Sequence, residues 1–256
     1  MFRPTFSTVL LFPLLLCFTV SAATFAQAPP RSPSDTVREF YKAMRDKRFR
    51  EAFGMSIYKP AIEPLKPQEF EDLKPDFDKM AAVIPEQVNI TGEQISGDLA
   101  TVFVKVKEGE GPDVPEPVSL IHVDGAWIIG DKENQAIVKK AGKQFFFNAR
   151  IDVHHDEVQA LLTRISLAEL VYSQQHNGLF ADLATLITAG LLPKDLEGTD
   201  STGYRFHVNT GSGGKTWNAA AEPAVYGRSG RLSFYLDPTG VRSSDTGGKP
   251  LTPGKK

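Results

Sequence analysis

The sequence predicts an α+β fold in two domains, each a set of helices on an antiparallel sheet. Three observations carry that prediction. Val37, Phe40, Tyr41 and Met44 share one stripe at helical spacing, which resumes at Phe49, Ala52 and Phe53. From Val88 the period changes to two, and tight-turn residues separate the alternating runs. A second helical pattern returns at Asp156 and gives way to strand-like pieces after Tyr204. With 256 residues, 41% hydrophobic and 23% charged, the chain is long enough to bury a core in each half.

The elements follow in order. Ser32-Pro33-Ser34-Asp35 opens a helix, since Ser32 can cap, Pro33 suits the first helical position and Asp35 favours the N-terminus. The stripe slips in phase near Asp46-Lys47, so two short helices or one broken helix are expected. Residues 60–85 carry Phe70, Leu73, Phe77, Met80 and Val83 at near-helical intervals, read as one or two short helices covering a sheet. Val88–Ile90 and Thr101–Val106 read as strands about the turn Ser96-Gly97-Asp98. Val118–Val123 and Trp127–Ile129 read as a hairpin about Asp124-Gly125.

In the second half, Val158, Leu161, Leu162, Ile165, Ala168, Leu170, Val171 and Tyr172 cover most of a helix circumference, which predicts wide burial. Asn177-Gly178 stops that helix, and Asp182 caps a short one that ends at Gly190. Tyr204–Val208, Trp217–Ala221 and Leu232–Leu236 read as strands, with Asp237-Pro238-Thr239-Gly240 as a turn. Residues from Ser243 onward are rich in Gly, Ser, Pro and Lys and read as disordered. The domain boundary is expected between Asn134 and Asp156.

The N-terminus has the layout of a secretory signal peptide: Arg3, an apolar run from Val9 to Val20, then small residues at Ser21, Ala22, Ala23 and Ala26. The run is short for a bilayer span. Cys17, the single cysteine, lies inside it, and Leu16 stands where a bacterial lipoprotein needs a small residue. The expected mature protein is therefore cysteine-free, without disulfides or thiolate chemistry. The expected organisation is a signal peptide at 1–28, a first domain at 29–140, a second at 150–245 and a disordered tail at 246–256. A net charge of −2 offers no basic field for nucleic acid, so no nucleic-acid partner is expected.

On Ser32-Pro33-Ser34-Asp35-Thr36-Val37, Phe40-Tyr41-Lys42-Ala43, Arg48-Phe49-Arg50-Glu51-Ala52, Gly97–Val102 and Val123–Ile129, the first half resembles the nuclear-transport-factor-two-like (ketosteroid-isomerase-like) superfamily. That resemblance implies a cone-shaped domain and is almost silent on activity. The second half carries Leu167-Ala168-Glu169, Tyr172, Gly178-Leu179-Phe180, Gly190-Leu191-Leu192-Pro193, Gly203-Tyr204-Arg205-Phe206 and Asp237–Arg242. On these it resembles the globular head of type IV pilins and type II secretion pseudopilins. It lacks their processed N-terminal segment and long apolar helix, so only the head fold is implied.

Candidate sites are few. His154-His155-Asp156-Glu157 is the most metal-like run, but adjacent histidines point apart on any regular element, and a solvated inter-domain joint is the expectation. His122, His176 and His207 read as isolated. Asp237 and Asp245 bracket a loop similar to the calcium loop of some pseudopilins. Tyr41 and Tyr58 are the ligand-binding candidates in the cone, although Tyr41 sits on the core stripe. Gly211–Thr216 misses the spacing of a phosphate loop and reads as a hairpin loop. No catalytic residue, metal or cofactor is assigned.

The expected function is a non-catalytic exported binding or assembly-accessory protein of the bacterial envelope, periplasmic or extracellular. Its expected partner is an envelope or secretion-system protein, with no stable transmembrane segment after processing. The alternatives are a small-molecule-binding or isomerase-like enzyme using the N-terminal cone, and a minor pilin-like subunit or adhesin.

Overall fold

Ser32 caps the first helix through its hydroxyl, which accepts from the Asp35 N–H, and Pro33 takes the first helical position. In the computed structural model this helix is α1 (Pro33–Arg45), and α2 (Phe49–Gly54) follows after Lys47 turns through φ 58°. The phase slip in the sequence is therefore a real break. The structure describes residues 31–84, 86–105, 115–199 and 202–252. The expected signal peptide at 1–28, with Cys17, and the last four residues of the expected tail lie outside them.

After α3 (Lys59–Ile62) comes α4 (Pro67–Ala82), a single helix of 16 residues. Its apolar face, with Leu73, Phe77 and Ala81 buried, packs against α1 and a later helix and shares one core cluster with Ile121 of the first sheet. The first sheet has the order β1–β2–β3–β4, all antiparallel: β1 (Asn89–Ser96), β2 (Leu99–Lys105), β3 (Glu116–Val123) and β4 (Ala126–Ile129). Both turns sit where the turn residues placed them, with positive φ at Gly97, Asp124 and Gly125. Val37 of α1 lies against Ala100, Val102, Val104 and Leu120 on one sheet face.

The helical pattern does not wait for Asp156. α5 (Lys132–Ala141) starts under an Asp131 cap, and α6 (Phe145–Gln175) then runs 31 residues through the interval expected to hold the domain boundary. Phe145, Phe146 and Phe147 join the first-half core, in which the Phe53, Phe77 and Phe146 rings meet in tilted and edge-on contacts with centroids 5.0–5.1 Å apart. Val158, Leu162, Ile165 and Ala168 join the second core. From Arg31 onward the chain forms one compact unit.

α7 (Leu183–Thr188) follows, capped by Asp182 and ended at Gly190 with φ 72°. The second antiparallel sheet comprises β5 (Tyr204–Thr210), β6 (Trp217–Pro223), β7 (Leu232–Asp237) and β8 (Gly240–Asp245), in that order. The fold is thus α+β with two four-stranded antiparallel sheets. Gly211–Thr216 is the connection between β5 and β6, with a short 3-10 turn at Ser212–Gly214. β8 reaches into residues read as disordered. Every β8 side chain is exposed, so the strand has no apolar alternation and is held by backbone pairing to β7.

Wide burial of α6 is overturned at its C-terminal end. Leu167, Leu170 and Val171 are 58%, 53% and 38% exposed. The sheet covers only one side of the helix, and nothing among the described residues covers the other. No described helix is long and apolar enough to cross a membrane.

Candidate functional site

The side chains with most chemistry in common gather where α4, α6 and the 224–231 turn meet. Glu69, Asp72 and Asp76 recur every three or four residues and so share one face of α4. Glu69 closes the helix start by accepting from the Lys66 N–H at 3.0 Å, and its other oxygen meets Lys143 Nζ at 3.1 Å and Arg228 at 3.4 Å. That backbone bond, with Lys143 next, holds the Glu69 carboxyl below the usual range.

Arg150 of α6 is 11% exposed and donates Nε to Asp76 at 2.7 Å, Nη1 to Asp72 at 3.0 Å and Nη2 to the Asp72 carbonyl at 2.5 Å. Arg228 donates to the other Asp72 oxygen at 3.0 Å and lies over the Phe147 ring at 4.4 Å. A carboxylate shared by two guanidinium groups is a geometrically specific clamp.

Beside the clamp runs a groove of about 230 Å³ between α4 and α6. Leu73, Phe77 and Phe146 floor it, and the exposed Met80 and Val153 form its lips. Lys79 and Arg150 supply its cationic side, His154 an imidazole and Glu157 a carboxylate. A second cleft of about 210 Å³ shares Asp76, Lys79, Arg150 and His154 and reaches Gly203 and Ser229. His154 lines both clefts. Its Nδ1–H donates to the Ser229 carbonyl at 2.8 Å, which leaves Nε2 as an acceptor. Gly203 has φ 68°, and a Cβ there would stand 2.8 Å from the His154 ring, so this close approach needs glycine.

His155 turns elsewhere. Its Nε2 accepts from the Arg231 and Leu232 N–H groups at 3.3 Å each, and its ring meets Phe234 at 5.8 Å. Burial, the largest influence, lowers its basicity although Asp152 and Asp156 oppose. The run expected to be a solvated joint is instead about one turn of α6, with His154 and His155 half-buried and Asp156 and Glu157 exposed. The two histidines bind different backbone groups and converge on no common point. Among the described residues, no three His, Cys, Asp or Glu side chains gather as a metal site.

The other candidates disperse. Tyr41 packs on the α1–sheet cluster, while Tyr58 lies in the helical core 5.3 Å from the Phe145 ring. Burial raises both phenols, helped by Glu116 at Tyr41 and Asp131 at Tyr58. The structure does not bring them into one pocket. Asp237 accepts from the Thr239 N–H at 2.8 Å and meets Arg242 at 3.3 Å. Asp245 accepts from the Tyr226 hydroxyl and the Gly247 N–H, each at 3.0 Å. Asp237 ends β7 opposite Gly240, and Asp245 ends β8 roughly 17 Å away by strand rise, so they do not bracket a loop.

His207, read as isolated, pairs with the buried Glu222 at 2.8 Å. The acidic face of α4 was the sequence signal that could have found the clamp, and its partner Arg150 lies 74 residues beyond Asp76. No protein-family model, curated protein or solved structure matches this chain.

Proposed function

We propose that this chain is an exported, non-catalytic binding and assembly-accessory protein of the bacterial cell envelope, with the α4–α6 groove as its ligand site. The observation behind the reading is the groove itself: an apolar floor under a small set of polar groups, at a seam between two sheet-bearing halves, which is the usual form of a binding pocket. No nucleophile–base pair lines it among the described residues. Ser229 lines the neighbouring cleft, and its Oγ is engaged with the backbone of Val225, while His154 meets its carbonyl. Tyr41 and Tyr58 belong to different core clusters, which speaks against the isomerase-like alternative.

The resemblances to the nuclear-transport-factor-two-like superfamily and to pilin heads remain part of this proposal. Leu167, Leu170 and Val171 favour the accessory role, because an exposed apolar stripe on a helix is a surface for another protein. In this reading the protein docks and does not assemble alone, since His155 and Glu169 interrupt the apolar face that a filament shaft needs.

The test is displacement of a solvatochromic apolar dye from the purified exported chain. Saturable binding that Val153→Asp and Met80→Asp abolish, with melting unchanged, supports the groove. Dye binding that is absent, or indifferent to both variants, rejects it. N-terminal sequencing of exported material is expected to begin between Thr24 and Arg31, and Met1 on envelope-bound material would reject export with cleavage.

A further inference from the structure

The outer face of the second sheet carries a separate feature. On its inner face Tyr204, Phe206, Val208, Ala219, Ala221, Phe234 and Leu236 form the core under α6. The alternate residues face outward. Register sets His207, Ala220 and Tyr235 side by side on β5, β6 and β7, with Asn209 opposite Asn218 two residues along. Ala220 is the small residue of that row. Neighbouring strands lie about 4.8 Å apart, so His207 and Tyr235 stand roughly 10 Å apart over an alanine floor. Residues 250–252 wall the resulting cleft of about 230 Å³.

Two details go beyond a shallow dent. Glu222 is buried, its side chain 7% exposed, and one of its oxygens holds His207 Nε2 at 2.8 Å. A carboxylate behind an imidazole sets the ring's orientation. It leaves Nδ1 as the ring nitrogen without a protein partner among the described residues. At the far end Asn209 Nδ2 donates to Asn218 Oδ1 at 3.4 Å, which leaves the Asn218 amide N–H groups and the Asn209 carbonyl to be satisfied from outside.

We propose that this cleft binds a neutral, hydroxyl-rich ligand, a saccharide unit. Among the described residues the lining holds no Lys, Arg, Asp or Glu. Of the charges bordering it, Glu222 is taken up by His207, and Arg242, over the Tyr235 ring at 4.8 Å, pairs with Asp237. Its polar groups are the Asn209 and Asn218 amides, an imidazole nitrogen and the hydroxyls of Tyr235 and Thr252. Together they donate and accept, as vicinal hydroxyls require. Ala220, Pro250 and Leu251 give apolar surface for the C–H face of a pyranose ring. The α4–α6 groove has the opposite make-up, apolar with charged groups, so this inference stands independently of the proposed function.

Saturation-transfer NMR on the purified exported chain tests it, with glucose, galactose, N-acetylglucosamine and their soluble oligomers as probes. Transfer from the protein to the ring protons of at least one sugar is expected. Asn218→Ala should weaken it about tenfold, the loss of one to two good hydrogen bonds. His207→Ala strips Glu222 of its partner, so His207→Gln serves as the second variant, with melting as the control. Val153→Asp in the groove should leave sugar binding unchanged. Tighter binding of oligomers than of monomers identifies an envelope polysaccharide as the source, and equal binding a free sugar. Absence of transfer from every probe at millimolar concentration overturns the proposal, as does transfer that survives both cleft variants.

Discussion

At His155 the buried face of α6 meets the turn before β7, and at Glu169, fourteen residues on, the same face meets the loop before α7. Ile151, Val158, Leu162 and Ile165 complete that face, so the two polar residues interrupt one apolar stripe. Each accepts a backbone N–H from outside the helix: His155 from Arg231 and Leu232, Glu169 from Ala181 at 3.0 Å. Their electrostatics run in opposite directions. Burial drives His155 toward its neutral form by lowering its basicity. Burial also drives Glu169 toward its neutral form, here by raising its carboxyl to about 7. The remaining Glu169 oxygen is buried without a partner among the described residues. A buried acceptor is least costly when uncharged, and acid and base reach that state from opposite sides of neutrality.

The largest expected effect separates the two positions by pH. Glu169 holds its proton more tightly folded than unfolded, so its contribution is complete below about pH 4.5 and is lost as pH rises through about 7. The loss amounts to about 3 kcal/mol. Denaturant melts across that range should show the decline, and Glu169→Gln should flatten it. A slope unchanged in that variant would remove Glu169 from the account. His155 acts oppositely. Its contribution is present above its ordinary value of 6.5 and is lost as pH falls through the lowered one.

Next in size, His155→Leu is expected to cost about 2 kcal/mol, because the Arg231 and Leu232 N–H groups lose their acceptor. Hydrogen exchange at those two amides should accelerate locally, and unchanged protection would mean that the bonds matter little. Arg150→Met should cost about 1 kcal/mol, since Asp72 and Asp76 remain partly exposed and water can replace the lost donors. Melts in low and high salt would check it, with the difference between wild type and variant shrinking in salt. The smallest effect belongs to Leu170→Ser, expected within about 0.5 kcal/mol of wild type because the side chain is already exposed. The same change should abolish capture of an envelope partner if the stripe is a docking surface, and retained capture would place docking elsewhere.

Local chemistry made much of the fold legible. Ser32, Asp182, Gly97, Asp124-Gly125 and Gly190 each act within a few residues of themselves, as caps or as positive-φ turns, and each stands where its residue type placed it. Seven of the eight strands were read in the sequence, several of them from alternation, because one face of each sheet is buried and the side-chain period is then two. β8 was lost for the converse reason: with both faces wet, it carries no pattern. The start of α6 was lost because its first turns bury three consecutive aromatics, Phe145–Phe147, against a core built earlier in the chain.

The candidate site was hardly legible at all. Asp72 and Asp76 are an ordinary acidic face until Arg150 arrives, His154 is an ordinary polar residue until Gly203 and Ser229 close on it, and His207 is solitary until Glu222 turns beneath it. These partners lie 15 to 78 residues apart in the chain. Helix caps, turn types and hydrophobic periods are decided by interactions between near neighbours, and the sequence by itself determined them. Which charged or polar groups meet depends on how distant elements pack, and only the tertiary structure decided that.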